Sequence, residues 1–304
     1  MAIRFDGRVA IVTGAGAGLG RAHALGLAKL GAKVVVNDMG AKTDGSGGSA
    51  TPAEAVVEEI RKAGGEAIAN GADVSDFAQV KEMVAQAAMK WGSVDLMVAN
   101  AGILRDKSFG KMEPEDFAKV IAVHLTGTFN CCKAVWDGMR ERNYGRIVLT
   151  TSSSGLFGNF GQANYAAAKL GIVGLSKSIA LDMNRFNVRS NCVSPFAWSR
   201  LIGTIPTETD AEKERVKRMQ QMGPEKIAPL SVFLLSDAAK DVTGQIFAVR
   251  MNEIFLMSQS RPLRSIHRAE GWTPQTIAEH GMPALKSSFY KLDRSADIFS
   301  WEAI

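Results

Sequence analysis

The sequence predicts an α/β protein whose central sheet is parallel and covered by helices on both faces. Short runs rich in β-branched residues alternate with longer helical patterns over most of the 304-residue chain. The first of these runs, Arg8–Thr13, is continuously apolar, as is typical of a strand buried on both faces. Regular alternation of such strands with helices is the pattern of a parallel sheet.

Seven segments have the length and composition of strands. The first is a continuous apolar run, and the second, KVVVN, is dominated by valine. The predicted strands are Arg8–Thr13, Lys33–Asn37, Glu66–Asn70, Val94–Ala99, Arg146–Thr151, Val188–Val193 and Gln245–Val249.

Five longer segments have helical patterns, and one of them stops at the glycine pair Gly64-Gly65. The predicted helices are Leu19–Leu30, Pro52–Ala63, Phe77–Trp91, Pro114–Arg142 and Ala163–Asn184. Two other segments interrupt the alternation. Gly40–Thr51 is rich in glycine and serine and predicts a mobile loop, and Phe196–Met222 is charged and helix-like.

The alternation stops near Arg250, and the rest of the chain is polar with scattered aromatic residues and prolines. Too few residues follow to form an independent domain. We therefore expect a main domain of residues 1–250 and an extension of residues 251–304, packed on that domain or on a neighbouring subunit.

Composition narrows the classes of function. The net charge of +5 is modest, and no lysine or arginine block marks a nucleic-acid or membrane surface. No apolar run is long enough to span a bilayer, and the first residues lack a secretory signal. Cys131, Cys132 and Cys192 have no metal-ligand spacing and are expected as core residues in a reducing compartment. We expect a cytoplasmic protein without nucleic acid, membrane or metal partners.

A glycine-rich turn joins the first strand to the first helix. Glycines let the backbone approach a pyrophosphate, and the free N–H groups of a helix N-terminus bind its negative charge. The predicted cofactor contacts in this turn are Gly14, Gly16, Gly18, Leu19 and Gly20. Its position in the first strand–helix–strand unit predicts a dinucleotide site.

Asp38 at the end of the second strand predicts which dinucleotide is bound. A carboxylate there can accept hydrogen bonds from both ribose hydroxyls and would repel a 2′-phosphate. Neither Ala15 nor Met39 offers the positive charge that a 2′-phosphate requires. The sequence therefore favours NAD over NADP.

Polar and small residues follow the third and fourth strands. Ligands of open α/β sheets bind over the carboxyl ends of the strands, where both groups are expected. The predicted contacts are Asp73 and Val74 after the third strand, and Asn100, Ala101 and Gly102 after the fourth.

Tyr165 and Lys169 lie four residues apart on one predicted helix, and Ser152 lies upstream of them. This spacing puts the tyrosine and the lysine on one helix face. The lysine ammonium can stabilise a phenolate, and the serine hydroxyl can hold a substrate oxygen. Such a group can move a proton while a hydride moves elsewhere.

Together, the TGxxxGxG turn, Asp73-Val74, Asn100-Ala101-Gly102, Ser152 and the YxxxK pair resemble the short-chain dehydrogenase/reductase family over roughly residues 5–250. The resemblance implies a doubly wound (Rossmann) sheet of about seven parallel strands and a homodimer or homotetramer. It also implies catalytic roles for Ser152, Tyr165 and Lys169, and cofactor contacts for the last two.

Several stretches are similar to one branch of that family, the (3R)-hydroxyacyl-CoA dehydrogenase part of peroxisomal multifunctional enzyme type 2. They are Val34–Gly40, Asn100–Phe109, His124–Gly127 and Gly158–Tyr165. Many members of the wider family have asparagine where this branch and this chain have histidine, so His124 becomes a fourth catalytic candidate. The resemblance also places Pro195 at the nicotinamide pocket.

The chain departs from the family pattern at three places. Ala99-Asn100 replaces an asparagine pair, Pro195-Phe196 replaces Pro-Gly, and Arg250-Met251-Asn252 stands where glycines are usual. The second change concerns the floor of the nicotinamide pocket. The third concerns how the extension and the subunit interface are arranged.

Three functions remain open. The first is oxidation of a (3R)-hydroxyacyl-CoA, whose phosphates could meet Arg105, Lys107, Lys111 and Arg200. The second is oxidation of a bulky secondary alcohol such as a hydroxysteroid, in an apolar pocket of Leu156, Phe157, Phe160, Phe196 and Trp198. The third is binding of NAD without catalysis, for which the Ser-Tyr-Lys set would have no chemical purpose.

Overall fold

The computed structural model describes residues 2–48, 51–197 and 221–303, together with Thr209 and Lys217. Its centre is one sheet of eight strands. In chain order they are β1 (Val9–Thr13), β2 (Lys33–Asn37), β3 (Glu66–Asn70), β4 (Leu96–Ala99), β5 (Gly145–Thr150), β6 (Val188–Phe196), β7 (Ile246–Arg250) and β8 (Glu253–Leu256). The helix-like segment expected at Phe196–Met222 lies almost wholly outside the described residues.

The described helices cover both faces of this sheet. They are α1 (Gly18–Lys29), α2 (Thr51–Lys62), α3 (Phe77–Trp91), α4 (Pro114–Ile121), α5 (Gly127–Glu141), α6 (Ser153–Phe157), α7 (Ala163–Met183), α8 (Ala228–Leu234), α9 (Pro274–Thr276), α10 (Met282–Lys286) and α11 (Ser295–Ile298). None of the helices in the described ranges is long and apolar enough to cross a membrane.

Alternation along the strands builds two apolar cores. Val9 and Ile11 of β1 belong to the core shared with α3, α5 and α7. Ala10 and Val12 face the opposite way and join the core shared with α1, α2 and α8. Successive side chains of a strand point to opposite faces, so each of the parallel strands β1 to β7 contributes to both cores. The prediction of a doubly wound α/β fold is therefore confirmed.

The strand order places a crevice at one edge of the sheet. Neighbouring strands run β3-β2-β1-β4-β5-β6-β7-β8, and the pairs from β3 to β7 are all parallel. The chain winds outward from β1 to β3, then returns to place β4 on the other side of β1. Ligands bind at such a switch point, outside the carboxyl ends of the strands.

The eighth strand was not predicted. It pairs antiparallel with β7 across a turn at Met251-Asn252, with Arg250 opposite Glu253. Met251 has φ +55°, a conformation that usually requires glycine or asparagine. Because Met251 carries no turn signal, the sequence suggested only that the alternation had ended.

One long helix was predicted over Pro114–Arg142, and the structure divides it. Between α4 and α5 the backbone makes a π-helical turn, Ala122–Thr126, with His124 at its centre. A π-helical turn accommodates an extra residue inside a helix and often occurs at functional sites. Apolar spacing does not reveal such a turn, so its position was not foreseen.

Arg250 holds the C-terminal segment on the sheet. This buried side chain donates hydrogen bonds to the carbonyl oxygens of Phe299 (3.1 Å) and Trp301 (2.6 Å) and forms a salt bridge with Glu253 (3.1 Å). The ring of Phe299 packs against those of Phe157 and Phe196, with centroids 6.3 and 5.0 Å away. The arginine that replaces a family glycine therefore anchors the extension.

Candidate active site

The glycine-rich turn between β1 and α1 leaves no space for a side chain at Gly14, Gly16 or Gly20. Gly14 has φ +63°, and a Cβ there would lie 2.9 Å from the Cα of Ala101. A Cβ on Gly16 would lie 2.7 Å from Pro52 Cβ, and one on Gly20 would collide with the Gly14 carbonyl. Close contacts with the segment after β4, with Asp38 and α2, and within the turn itself thus explain why these three positions are glycine, whereas a Cβ on Gly18 would meet nothing within 4 Å.

Asp38 lies directly beside this turn. Its two carboxylate oxygens accept hydrogen bonds from the backbone N–H groups of Gly16 (2.8 Å) and Gly40 (2.7 Å). The negative charge at the end of β2 is thereby fixed next to the glycine-rich turn, as the sequence predicted.

The ends of β1 and β4 are joined through polar groups. Thr13 Oγ1 accepts hydrogen bonds from the backbone N–H groups of Asn100 (3.0 Å) and Ala101 (3.1 Å), and Asn100 Nδ2 donates to the Thr13 carbonyl (3.0 Å). A Cβ on Gly102 would collide with the His124 ring. Small residues after β4 therefore admit that ring as well as leaving space in the crevice.

Asp73 and Val74 form the turn after β3. Asp73 Oδ1 accepts hydrogen bonds from the backbone N–H (2.8 Å) and hydroxyl (2.7 Å) of Ser75. The Val74 carbonyl accepts one from Asn130 Nδ2 (2.9 Å). Like Leu19 in the first turn of α1 and Pro195 near the end of β6, these residues lie at the carboxyl edge of the sheet.

Ser152, Tyr165 and Lys169 come together beyond the end of β5. Ser152 precedes α6, where its Oγ accepts a hydrogen bond from the Ser154 backbone N–H (3.2 Å), and its hydroxyl lies near enough to Tyr165 to lower the pKa of the phenol. Lys169 lies one helical turn after Tyr165 on α7, with Nζ 5.5 Å from the centre of the tyrosine ring. The lysine Nζ donates a hydrogen bond to the Thr150 carbonyl (2.6 Å). The three side chains thus form one group, as predicted.

His124 joins this group from the π-helical turn. Its ring meets that of Tyr165 edge to face, with centroids 5.2 Å apart. Nε2 lies 3.0 Å from the backbone nitrogen and 2.7 Å from the carbonyl oxygen of Ile103. Nδ1 is buried and has no hydrogen-bond partner among the described residues. Such an orphaned nitrogen is suited to a bound water or ligand.

In the protein chain without bound ligands, burial is the largest influence on the pKa values of Tyr165, Lys169 and His124. It raises the pKa of Tyr165 to about 12, against the opposing effect of the Ser152 hydrogen bond. It also lowers the pKa of Lys169 to about 7. Burial, together with the nearby Lys169 charge, lowers the pKa of His124 to about 3. Lys169 was expected to lower the pKa of Tyr165, but in the chain alone it is not among the groups that shift this pKa, and burial raises it instead.

Several groups that shape the site were not singled out from the sequence. The Thr150 carbonyl holds Lys169, and the Ile103 backbone holds His124. Buried Asn164 accepts a hydrogen bond from the Tyr165 backbone N–H (2.7 Å) and donates one to the Arg105 carbonyl (3.0 Å). The first two contacts use backbone atoms, which leave no mark in a sequence.

Two of the cations proposed for substrate phosphates are already paired. Lys107 Nζ lies 2.6 Å from Asp116, and Arg105 lies 3.4 Å from the same carboxyl group. These partners lower the pKa of Asp116, with the Lys107 hydrogen bond as the largest cause. A phosphate would have to compete with Asp116 for both cations. Lys111 is exposed, and Arg200 and Trp198 lie outside the described residues.

Two buried histidines make the fold sensitive to acid. Burial lowers the pKa of His23 in α1 to about 4 and that of His124 to about 3, whereas an unfolded histidine titrates near 6.5. Below pH 6.5 the unfolded chain gains protons that the folded chain does not, so stability falls as pH falls. We expect about 1.5 kcal/mol lost per histidine between pH 6.5 and 5.

Urea unfolding at the two pH values measures this loss. The variant His23→Gln should show about half of the wild-type loss of unfolding free energy, because only His124 then binds a proton on unfolding. An unfolding free energy that is unchanged by acid in the wild-type protein would contradict the burial of both imidazoles as neutral groups.

The residues at this edge fit a nicotinamide dinucleotide. No side chain caps the start of α1, so the first backbone N–H groups of this helix are open to an anion, as a pyrophosphate requires. Asp38 supplies an acceptor for ribose hydroxyls, and the proton-transfer group lies beyond β5 on the same edge. The backbone N–H donors thus suit the pyrophosphate, Asp38 suits the ribose, and the proton-transfer group suits the nicotinamide end of the cofactor.

Comparison with known proteins supports the same conclusion. Residues 8–199 match the family model described as short chain dehydrogenase. The chain belongs to the short chain dehydrogenase family. Members of this family are oxidoreductases that typically bind NAD or NADP.

Individual relatives extend the likeness beyond the matched region. The chain is 42% identical over 281 residues to the Mus musculus peroxisomal multifunctional enzyme type 2, covering 91% of this chain and 36% of that protein. It is 41% identical over 287 residues to hydroxyacyl-CoA dehydrogenase ChsB1 of Mycobacterium tuberculosis, covering 90% and 86%. The chain thus spans about a third of the mouse protein.

A solved structure gives the same result for the fold. The crystal structure of a short chain dehydrogenase from Mycobacterium avium superposes with a TM-score of 0.81 at 40% sequence identity. The match covers 94% of this chain and 97% of that one. The resemblance to short-chain dehydrogenases drawn from the sequence is therefore confirmed.

Proposed function

We propose that this protein is an NAD-dependent dehydrogenase that oxidises a (3R)-hydroxyacyl-CoA to the 3-ketoacyl-CoA. The observation that carries the reaction type is the group of Ser152, Tyr165 and Lys169 at the cofactor edge of the sheet. The substrate class is supported by the names of relatives. One of them is a hydroxyacyl-CoA dehydrogenase, and this chain covers 86% of its length.

Each member of the group has a distinct part in this proposal. Ser152 holds the substrate hydroxyl beside Tyr165, and Tyr165 takes the hydroxyl proton as general base. Lys169 stabilises the charge that develops on the tyrosine oxygen and contributes to holding the cofactor. When bound, oxidised NAD supplies a hydride acceptor and a positive charge.

The raised pKa of Tyr165 determines how much free energy the site must supply to form the phenolate. Lowering it from about 12 to 7 requires about 7 kcal/mol of differential stabilisation. Lys169 cannot supply all of this in the chain alone, because its own pKa is lowered to about 7. The remainder is expected from the positive charge bound in the site and from proton transfer concerted with oxidation.

His124 has a supporting part. Its buried Nδ1 lacks a partner among the described residues, while Nε2 is held by Ile103. We propose that a water on Nδ1 links Lys169 to solvent and so replaces the proton that the site loses. The asparagine common at this position in the family also offers a polar side chain.

A bulky secondary alcohol such as a hydroxysteroid is the second candidate substrate. Phe157, Phe196 and Phe299 form an aromatic group at the end of α6, which begins directly after Ser152. An apolar wall of this kind suits a fused-ring substrate as well as an acyl chain. A protein that binds NAD without catalysis is the third possibility.

Reduction of NAD⁺ and NADP⁺ by (3R)- and (3S)-hydroxyacyl-CoAs and by a set of hydroxysteroids separates these functions. Turnover of the (3R)-acyl-CoAs alone supports the proposal. Turnover of steroids alone would replace the substrate and keep the mechanism. Tight NAD binding without turnover of any alcohol would support the non-catalytic alternative.

Asp38 is proposed to select NAD. We expect Asp38→Ser to lower the ratio of kcat/KM for NAD⁺ to that for NADP⁺ by at least about 10-fold, because removing a charge that repels the 2′-phosphate changes binding by more than 1 kcal/mol. Steady-state kinetics with both cofactors measure the ratio. Asp137→Ser removes an exposed carboxylate from α5 and is the charge-matched control. An unchanged ratio in Asp38→Ser would assign the selection to other residues.

We propose that the protein forms a homodimer or homotetramer through α4, α5 and α7. These helices carry exposed apolar side chains, namely Phe117, Phe129, Leu170 and Leu181. We further propose that residues 1–250 form the catalytic domain and residues 251–304 an extension packed on it or on a neighbouring subunit.

A cytoplasmic location is proposed on the basis of three buried free cysteines, which suit a reducing compartment. The mouse relative is named as peroxisomal, so imaging of a tagged full chain with a peroxisomal marker is the decisive comparison.

A further inference from the structure

Residues 40–48, here called the strap, cross the carboxyl edge of the sheet from β2 to the segment after β4. We propose that the strap is a positioning element that fixes Ile103 and, through Ile103, the ring of His124. This inference rests on the catalytic part proposed above for His124.

The strap is tied to the segment after β4 by hydrogen bonds between residues far apart in sequence. The Leu104 N–H donates to the Thr43 carbonyl (3.0 Å), and Arg105 Nε donates to the Asp44 carbonyl (3.0 Å). Within the strap, the Gly45 N–H donates to the Lys42 carbonyl (2.9 Å). The glycine-rich segment predicted to be a mobile loop therefore has a defined turn and hydrogen-bond partners as far as Ser46.

Gly45 is the point at which the strap presses on Ile103. It has φ +84°, and a Cβ there would lie 3.2 Å from both Cδ1 and Cγ2 of Ile103. Such distances are shorter than ordinary van der Waals contact, so any side chain at this position would push Ile103. Glycine lets the strap close fully over the isoleucine.

Ile103 in turn holds the histidine. Its backbone nitrogen and carbonyl oxygen lie 3.0 and 2.7 Å from His124 Nε2, and its side chain is almost fully buried. Which of the two backbone groups pairs with Nε2 fixes the tautomer and hence the character of Nδ1. A displacement of Ile103 therefore changes both where the His124 ring lies and which nitrogen carries the proton.

The other end of the strap begins at a fixed point. The Gly40 N–H is bound by Asp38, whose second oxygen binds the Gly16 N–H. The strap is thus tied to the glycine-rich turn through Gly40 and to Leu104-Arg105 through Thr43 and Asp44, and Gly45 over Ile103 follows directly after the second of these points. Two fixed points just before Gly45 give this part of the strap the rigidity that a positioning role requires.

The strap offers a matched pair of glycines for a test. Gly47 also has a positive φ, +73°, but a Cβ there would meet nothing within 4 Å. Gly45→Ala and Gly47→Ala therefore impose similar backbone strain, and only the first pushes Ile103. Comparing the two variants isolates the contact with Ile103 from a general loosening of the strap.

The first readout is the imidazole NMR spectrum of the ¹⁵N-histidine-labelled protein without substrate or cofactor. His124→Gln assigns the His124 signals. Gly45→Ala should shift the His124 nitrogen signals, whereas Gly47→Ala should leave them in place. Ile103→Val shortens the side chain under Gly45 and should also shift the His124 signals. This second variant therefore tests the role of Ile103 even if Gly45→Ala fails to fold.

The second readout is steady-state turnover of the substrate identified for the wild-type protein. Gly45→Ala should lower kcat about 10-fold while the KM for NAD⁺ stays within about 2-fold, because a small misplacement of a reacting group mainly costs rate. Equal kcat losses in the two glycine variants, or unmoved His124 signals in both Gly45→Ala and Ile103→Val, would overturn the proposal. A wild-type protein without dehydrogenase activity would contradict the proposed function, and the NMR comparison would still decide how His124 is held.

Discussion

Tyr165→Phe is expected to lower kcat by about 10²–10⁴-fold, the usual contribution of a positioned general acid or base. The phenol oxygen is the group proposed to take the proton of the substrate hydroxyl, which Ser152 is proposed to hold beside it. Phenylalanine keeps the ring and its edge-to-face contact with His124. Steady-state kinetics give kcat, and fluorescence titration should show an NAD affinity within about 2-fold of wild type.

Tyr290→Phe is the matched control for this substitution. Tyr290 lies in the extension with 88% of its surface exposed, and its hydroxyl should be dispensable. Retention of more than about a tenth of wild-type kcat in Tyr165→Phe would reject Tyr165 as the general base. A similar loss in both variants would indicate damage unrelated to proton transfer.

Gly20→Ala is expected to lower the free energy of unfolding by about 3 kcal/mol and to weaken NAD binding more than 10-fold. The new methyl group would collide with the carbonyl of Gly14, and the nearby Ala15 Cα would lie 2.8 Å away. Backbone atoms of a packed turn cannot move aside as a flexible side chain can, so the turn itself must shift. Urea unfolding and NAD titration measure the two effects.

Gly174→Ala separates this collision from the general effect of alanine in a helix. Gly174 lies in α7, where a Cβ would meet nothing within 4 Å. Alanine there should leave stability unchanged or raise it by up to about 1 kcal/mol. If Gly20→Ala were as stable as Gly174→Ala and bound NAD normally, the glycine-rich turn would not be the close-packed pyrophosphate site described above.

The sequence predicted well where one local pattern determines the structure. Short runs with β-branched residues, alternating with helical patterns, identified the seven parallel strands, and the first of them is a continuous apolar run typical of a strand buried on both faces. The glycines between β1 and α1, and the Tyr165–Lys169 spacing on α7, located the edge of the sheet at which the site lies.

The features that were missed depend on contacts between distant segments. β8 follows a turn whose positive φ falls on Met251, a residue without turn preference. The His124 ring in the π-helical turn contacts the Ile103 backbone and packs against Gly102, and both residues lie some 20 residues earlier in the chain. The raised pKa of Tyr165 arises from burial, which no spacing of tyrosine and lysine reveals.

The central claim is that a hydride leaves C3 of a (3R)-hydroxyacyl-CoA and reaches NAD. The most direct measurement uses purified protein, NAD⁺ and (3R)-3-hydroxyacyl-CoA carrying deuterium at C3, followed by mass spectrometry of the products. We predict NADH one mass unit heavier, formed in equal amount with unlabelled 3-ketoacyl-CoA, and none from the (3S) isomer. Absence of labelled NADH while the protein turns over a different alcohol would contradict the substrate. Absence of any NAD⁺ reduction across the alcohols tested would contradict the assignment of a dehydrogenase.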